Sequence, residues 1–241
     1  MRKHFAAAGL YIRMSGLRAL AVLAAAVCAE VLLFDRAAAQ PNLGLEDIVE
    51  KSGIVWVLCA AFVLLTVQLC AAGCDRGGRQ GYTLARLPLS ERGICLWQMG
   101  INALYYLIFW LSQALVLTAL CAAAVPEGEL SSQALFLAAW RSPLLHSLLP
   151  MGDVTVWARN GIFLLALGIS SAKFGWCQRR RKFGIGLIFT ALAVVLSFTR
   201  PVGSLDADIL ATVFIGTVAV SSAWGIFAEE DEDERATDEM P

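Results

Sequence analysis

The sequence predicts an all-α, polytopic membrane protein with six transmembrane helices and with both termini in the cytoplasm. The chain is 58% hydrophobic and only 16% charged, whereas soluble domains carry about 25% charged residues. Six apolar stretches approach or reach the length of about 20 residues that a helix needs to cross the hydrocarbon. The loops between these stretches alternate between cation-rich and cation-poor, which sets the orientation through the positive-inside rule.

The cations are strongly sorted between the two predicted faces. The inner segments carry most of the 19 lysines and arginines, namely Arg2, Lys3, Arg13, Arg18, Arg76, Arg79, Arg86, Arg92, Lys173, Arg179, Arg180, Arg181, Lys182 and Arg235. The outer segments carry only Arg36, Lys51, Arg141, Arg159 and Arg200. This bias predicts a multi-pass protein of the plasma membrane with an N-in, C-in topology.

We expect one transmembrane domain over residues 1–227, followed by an acidic cytoplasmic tail over residues 228–241. The predicted spans are about 17–35, 53–72, 100–125, 160–177, 183–199 and 207–227, of which the fourth and fifth are short. The tail is predicted to be disordered, because residues 229–239 hold eight acidic side chains and one arginine and such like-charge runs repel.

The first sixteen residues have an amphipathic pattern. Phe5, Leu10, Tyr11 and Met14 alternate with basic residues at roughly helical spacing. We expect an interfacial helix on the inner leaflet that turns into span 1 near Gly16. A frayed basic terminus that serves only topology is the alternative. A signal peptide is also open, since three alanines at 37–39 resemble a cleavage site, although the preceding apolar run is longer than usual.

Residues 131–149 are apolar enough to pass for a seventh span. Counting them would place the basic cluster 179–182 outside, and such clusters rarely translocate. Pro143 also interrupts the segment beside Arg141 and before His146. We therefore predict a broken outer helix between spans 3 and 4, lying on the outer surface or dipping into the membrane.

Catalytic and cofactor motifs are missing from the sequence. It contains no nucleotide-binding loop, no GxSxG and no HExxH, and its two histidines, His4 and His146, are far apart. We expect no enzymatic activity, no cofactor, no metal site and no nucleic-acid partner.

Three intramembrane polar residues are candidate functional groups. Glu30 is a carboxylate inside span 1, and a buried acid in a membrane is a functional candidate by default. The alternative is an acid near the outer interface that reaches water. Gln68 and Gln113 lie in spans 2 and 3, where they can hydrogen-bond between helices.

The inner loop over residues 73–99 predicts a stiff cytoplasmic element joined to two spans. Its glycine-rich start is followed by the segment 82–89, in which Pro88 stops any preceding helix. Ser90 is a good N-cap, and Glu91 suits the positive end of the next helix. The alternative is a basic interfacial loop with no partner.

This pattern resembles the membrane subunits of type-2 ABC exporters, in which a Leu-Pro-small-Ser segment precedes the third span. Here the corresponding residues are Leu87 to Ser90, after Tyr82 to Leu84. The resemblance implies a permease that couples through loop 73–99 to a separate ATP-binding cassette ATPase and pairs with a second permease chain, as a homodimer or heterodimer. The implied ATPase-coupling residues are Tyr82, Thr83, Arg86, Leu87, Pro88, Leu89, Ser90 and Arg92.

The chain departs from that family in its outer segments. The family's broken outer helices lie between spans 5 and 6, whereas the long outer segment here lies between spans 3 and 4. A polytopic interaction or assembly protein without an ATPase is the main alternative function, followed by a secondary transporter or channel.

Overall fold

The computed structural model of the chain describes residues 2–40, 43–73, 90–125, 131–150, 152–198 and 205–238. Every element in these ranges is an α-helix. The helices are α1 Arg2–Ala38, α2 Leu45–Lys51, α3 Ile54–Gly73, α4 Glu91–Ala124, α5 Ser131–Arg141, α6 Pro143–Leu148, α7 Val154–Arg179, α8 Gly186–Phe198 and α9 Leu205–Asp238.

Five of these helices are long and apolar enough to cross a membrane. They are His4–Ala38, Ile54–Gly73, Glu91–Ala124, Val154–Arg179 and Asp206–Ala228. Large apolar side chains, among them Leu17, Trp56 and Leu115, are exposed on their outer faces. Such surface is unfavourable in water and favourable against lipid. The prediction of a helical, polytopic membrane protein is therefore confirmed at this level.

Helix α1 runs without interruption for 37 residues, about 55 Å at 1.5 Å per residue. The predicted turn near Gly16 is wrong. The N-terminal part packs inward, where Tyr11 is buried against Ala72 of α3 and Ile101 of α4. The amphipathic pattern predicts a helix with one covered face, and that face is covered by α3 and α4.

The predicted break in the outer segment is confirmed. Helix α5 ends at Arg141 and α6 begins at Pro143, since proline cannot donate to the preceding turn and is suited to a helix start. Both helices pack with α2 and the ends of α1, α3 and α4 in one apolar cluster. An exposed ion pair joins α5 to α2, with 3.3 Å between Arg141 Nη1 and Glu46 Oε1.

Helix α7 lies at the centre of the bundle, packed against α3, α4, α8 and α9. Helices α7 and α9 run parallel to each other. Near their starts Arg159 Nη1 lies 2.6 Å from Asp208 Oδ1, and near their ends Trp176 and Ile226 share a buried cluster. The chain between them must therefore return along the bundle.

The predicted fifth span is a short helix, α8, of 13 residues, about 20 Å long. Near its start, Thr190 Oγ1 lies 3.3 Å from Ser170 Oγ of α7. At its end, Phe198 packs against the outer cluster. The helix is thus shorter than the roughly 30 Å hydrocarbon, although its two ends reach different levels of the bundle.

Helix α9 continues to Asp238, where the sequence predicted disorder from residue 228. Glutamate, alanine and arginine are good helix formers. An extension of an existing helix also avoids the cost of nucleation, because the preceding apolar residues already form turns. The acidic run therefore has a helical backbone as far as Asp238.

Candidate functional site

An apolar cavity lies inside the bundle between α3, α4, α6, α7 and α8. Its volume is about 90 Å³, and its wall is almost wholly apolar. Six aromatic rings line it, those of Phe62, Tyr106, Phe109, Trp110, Phe163 and Phe198. The polar side chains on the wall are Tyr106, Trp110, Gln113 and Asn160.

Glu30 and Gln113, both predicted from the sequence, contact each other beside this cavity. Each is 0% exposed, and Gln113 is a wall residue. With the amide turned so that its nitrogen faces the acid, Gln113 Nε2 donates to both carboxylate oxygens of Glu30, at 2.8 Å from Oε2. None of the ion pairs in the described ranges includes Glu30. The carboxyl group is therefore enclosed beside an amide and away from water. Burial of its ionised form there costs several kcal/mol of free energy.

Gln68, the third predicted polar residue, is not part of this arrangement. It is half-buried in α3, and its Oε1 atom is buried with no hydrogen-bond partner among the described residues. The predicted interhelical hydrogen bond of Gln68 is therefore not seen in the described part of the chain.

A buried hydrogen-bond network that the sequence did not predict joins four helices in the inner half of the bundle. Tyr11 Oη donates to Asn102 Oδ1 at 2.8 Å, and Asn102 Nδ2 donates to Ser171 Oγ at 2.8 Å. Tyr11 also donates to the Leu69 carbonyl of α3. The available signal was Asn102 itself, a polar residue one helical turn before Tyr106 in an apolar run.

A second unpredicted cluster lies near the end of α6 and the starts of α7 and α9. Arg159 is only 3% exposed and pairs with Asp208 at 2.6 Å. Its neighbour Asn160 donates to the Ser147 carbonyl of α6 at 2.8 Å. Opposite charges at the same predicted depth of spans 4 and 6 were the signal for this pair.

Most of the predicted ATPase-coupling segment, from Tyr82, Thr83 and Arg86 through Leu87, Pro88 and Leu89, lies outside the described residues. The prediction for Ser90 as an N-cap is confirmed, because its hydroxyl accepts from the Gly93 amide at 3.2 Å. Arg92, on the first turn of α4, donates through Nη2 to the Phe227 carbonyl of α9 at 3.2 Å.

Arginines tie the inner ends of the helices together. Arg180 Nη2 donates to Glu91 Oε2 at 3.0 Å, and the Arg180 guanidinium lies over the Trp176 ring at 4.4 Å. Arg179 Nη1 donates to the Gly73 carbonyl at the end of α3 at 2.6 Å, where it also complements the negative helix end. The inner basic cluster therefore has structural partners as well as its predicted topological role.

At the outer start of α7, Asp153 caps the helix. Its Oδ1 accepts from Thr155 Oγ1 at 2.6 Å and from the Thr155 amide at 3.0 Å. The hydrogen bond from the Thr155 side chain is the main reason why the pKa of this carboxyl is below its usual value.

Within the described ranges, no three His, Cys, Asp or Glu side chains are grouped so as to hold a metal ion. Comparison with protein-family models, with characterised proteins and with solved structures finds no match for this chain.

Proposed function

We propose that this chain is the membrane-spanning permease subunit of an ABC exporter of the plasma membrane, which couples through loop 73–99 to a separate ATPase. The observation that carries the proposal is the continuity of α4. One helix of 34 residues, about 51 Å long, begins directly after the coupling segment and contributes Tyr106 to Gln113 to the cavity wall.

This continuity supports a mechanical link. A stiff helix transmits displacement because its backbone hydrogen bonds resist bending, and α4 contains no proline. Its first turn is tied to α7 through Glu91 and to α9 through Arg92. Movement imposed on the coupling segment by an ATPase would thus be shared by three helices and would reach the cavity through α4.

The proposal includes six spans and two cytoplasmic termini. The support is the parallel course of α7 and α9, since the chain leaving the inner end of α7 must return to the outer level before α9 begins. Helix α8 is the one described element on that path. A short hydrophobic helix can cross where the bilayer thins locally or where neighbouring protein covers its ends.

The test is purification of the intact chain from its native membranes in mild detergent, together with triple replacement of Arg86, Leu87 and Leu89 by alanine. We expect an ATP-binding cassette ATPase to co-purify with the wild type and to be lost with the triple variant. Replacement of Arg36, an exposed cation on the predicted outer side, is the matched control and should leave the ATPase bound.

A second candidate, a membrane interaction or assembly protein, is favoured by one observation. The cavity of about 90 Å³ is small beside typical ligand pockets of about 300–1,000 Å³. In that case another integral membrane protein would co-purify in fixed stoichiometry, no ATPase would be found, and the permease proposal would be wrong.

A further inference from the structure

We propose that the cavity binds a small lipophilic organic cation of the quaternary ammonium class, with Glu30 as its counter-charge and Gln113 as the group between them. The proposal names a substrate class for the permease, and its transport role rests on that proposed function. Binding itself requires only the described bundle, so it can be measured without any ATPase.

The aromatic wall is the first argument. Six of the side chains that line the cavity of about 90 Å³ carry aromatic rings. The faces of aromatic rings carry negative potential and attract quaternary ammonium ions, and the attraction strengthens where water is excluded. A purely hydrophobic ligand would gain equally from aliphatic side chains, so the number of rings favours a cation.

The second argument is the unmatched acid behind the wall. Glu30 is fully enclosed, its hydrogen-bonding partner is an uncharged amide, and no cation is paired with it in the described part of the chain. Coulombic attraction is strong at low dielectric. A cation in the cavity would therefore favour the ionised form of Glu30, which is costly there without a positive partner.

Gln113 connects these two features. Its nitrogen donates to the Glu30 carboxylate, so its oxygen lies on the opposite side of the amide carbon, and the residue borders the cavity. A carboxylate at the nitrogen polarises the amide and increases the partial negative charge on its oxygen. Gln113 thus links the Glu30 carboxylate to the cavity wall.

The experiment compares benzyltrimethylammonium with neopentylbenzene, its neutral isostere, by calorimetric titration of the purified full chain in nanodiscs. We expect the wild type to bind the cation at least about tenfold more tightly than the isostere. Glu30→Gln keeps the shape and removes the charge, and it should abolish this preference while leaving binding of the isostere unchanged. Unchanged isostere binding also shows that the variant is folded.

Asp35→Asn is the matched control, because Asp35 is an exposed acid on the same helix, and it should keep the preference. Equal affinity of the wild type for cation and isostere would overturn the proposal, as would a preference that survives Glu30→Gln. Neither result would affect the co-purification test, so failure of the ligand proposal and failure of the permease proposal can be told apart.

Discussion

Asn102 joins three helices through the hydrogen bonds of its side chain. It accepts a hydrogen bond from Tyr11 of α1 and donates one to Ser171 of α7. Each buried polar group in a membrane helix needs a partner, because no water is present to replace one. Asn102 therefore fixes the lateral positions of α1 and α7 around α4, a role that apolar packing alone fills less specifically.

A double-mutant cycle on Tyr11→Phe and Asn102→Leu measures this contact. We expect each single variant to destabilise the bundle and their coupling free energy to be about 0.6–1.7 kcal/mol, the range for hydrogen bonds between membrane helices. Unfolding in mixed micelles gives the four free energies. In Asn102→Leu the Tyr11 hydroxyl still has the Leu69 carbonyl as an acceptor. Strictly additive effects would contradict a direct contact.

At the scale of elements, the contact between α4 and α7 depends on a glycine. A Cβ atom added to Gly168 would lie 2.8 Å from the Met99 carbonyl oxygen and 2.7 Å from the Ala103 Cβ of α4. Backbone atoms cannot rotate away as a flexible side chain can, so the two helices would have to separate. Small residues allow this close approach, which is a main source of helix association in membranes.

We expect Gly168→Ala to destabilise the protein by about 1–3 kcal/mol, as overpacking does elsewhere. Gly161→Ala is the control on the same helix, because no atom lies within 4 Å of its added Cβ. That control should be neutral or stabilise by up to about 1 kcal/mol, since alanine loses less backbone entropy than glycine. Thermal unfolding in detergent compares the two, and equal effects would show that the helices do not meet here.

At the scale of the whole molecule, the parallel pair α7 and α9 determines the topology. Because their starts are joined by Arg159 and Asp208 and their ends by Trp176 and Ile226, both helices run in the same direction. A protein with five crossings would place the two starts on opposite faces. If α7 and α9 both cross the membrane, we therefore expect α8 to cross it as well, in spite of its 13 residues.

Single cysteines in a cysteine-free background test this topology with a membrane-impermeant maleimide. We expect Arg36→Cys and Asp206→Cys to react in intact cells and Arg181→Cys to react only after permeabilisation. All three positions are exposed on the protein surface, so only the membrane limits the access of the reagent to them. Reaction of Asp206→Cys on the same side as Arg181→Cys would show that α8 does not cross.

The sequence predicted features that depend on local chemistry. Ser90 caps α4 and Pro143 interrupts the outer segment, because capping and the proline ring act on adjacent residues. Glu30 and Gln113 were recognised singly as polar groups in apolar helices. Neither their pairing nor the inward packing of Tyr11 is predicted by the sequence. The spacing and composition of apolar residues show which face of a helix is distinct, but they do not show which helix covers that face.

The acidic run from residue 229 also shows that a local sequence pattern does not determine the structure alone. Its charge pattern predicts disorder, yet the backbone is helical to Asp238, because the adjoining apolar helix has already formed its first turns. Hydropathy likewise predicts a span over residues 183–199, whereas the described helix α8 covers Gly186–Phe198.

The hydrogen bond between Tyr11 and Asn102 joins residues 91 positions apart. Ribosomes add about 5–20 residues each second, so roughly 5–20 s separate the synthesis of the two partners. During that interval the first helix has already emerged, with Tyr11 and Glu30 still lacking the side chains that later enclose them. The amino-terminal helix therefore lacks these contacts until the third long apolar segment emerges. The order of translation thus influences how the bundle assembles.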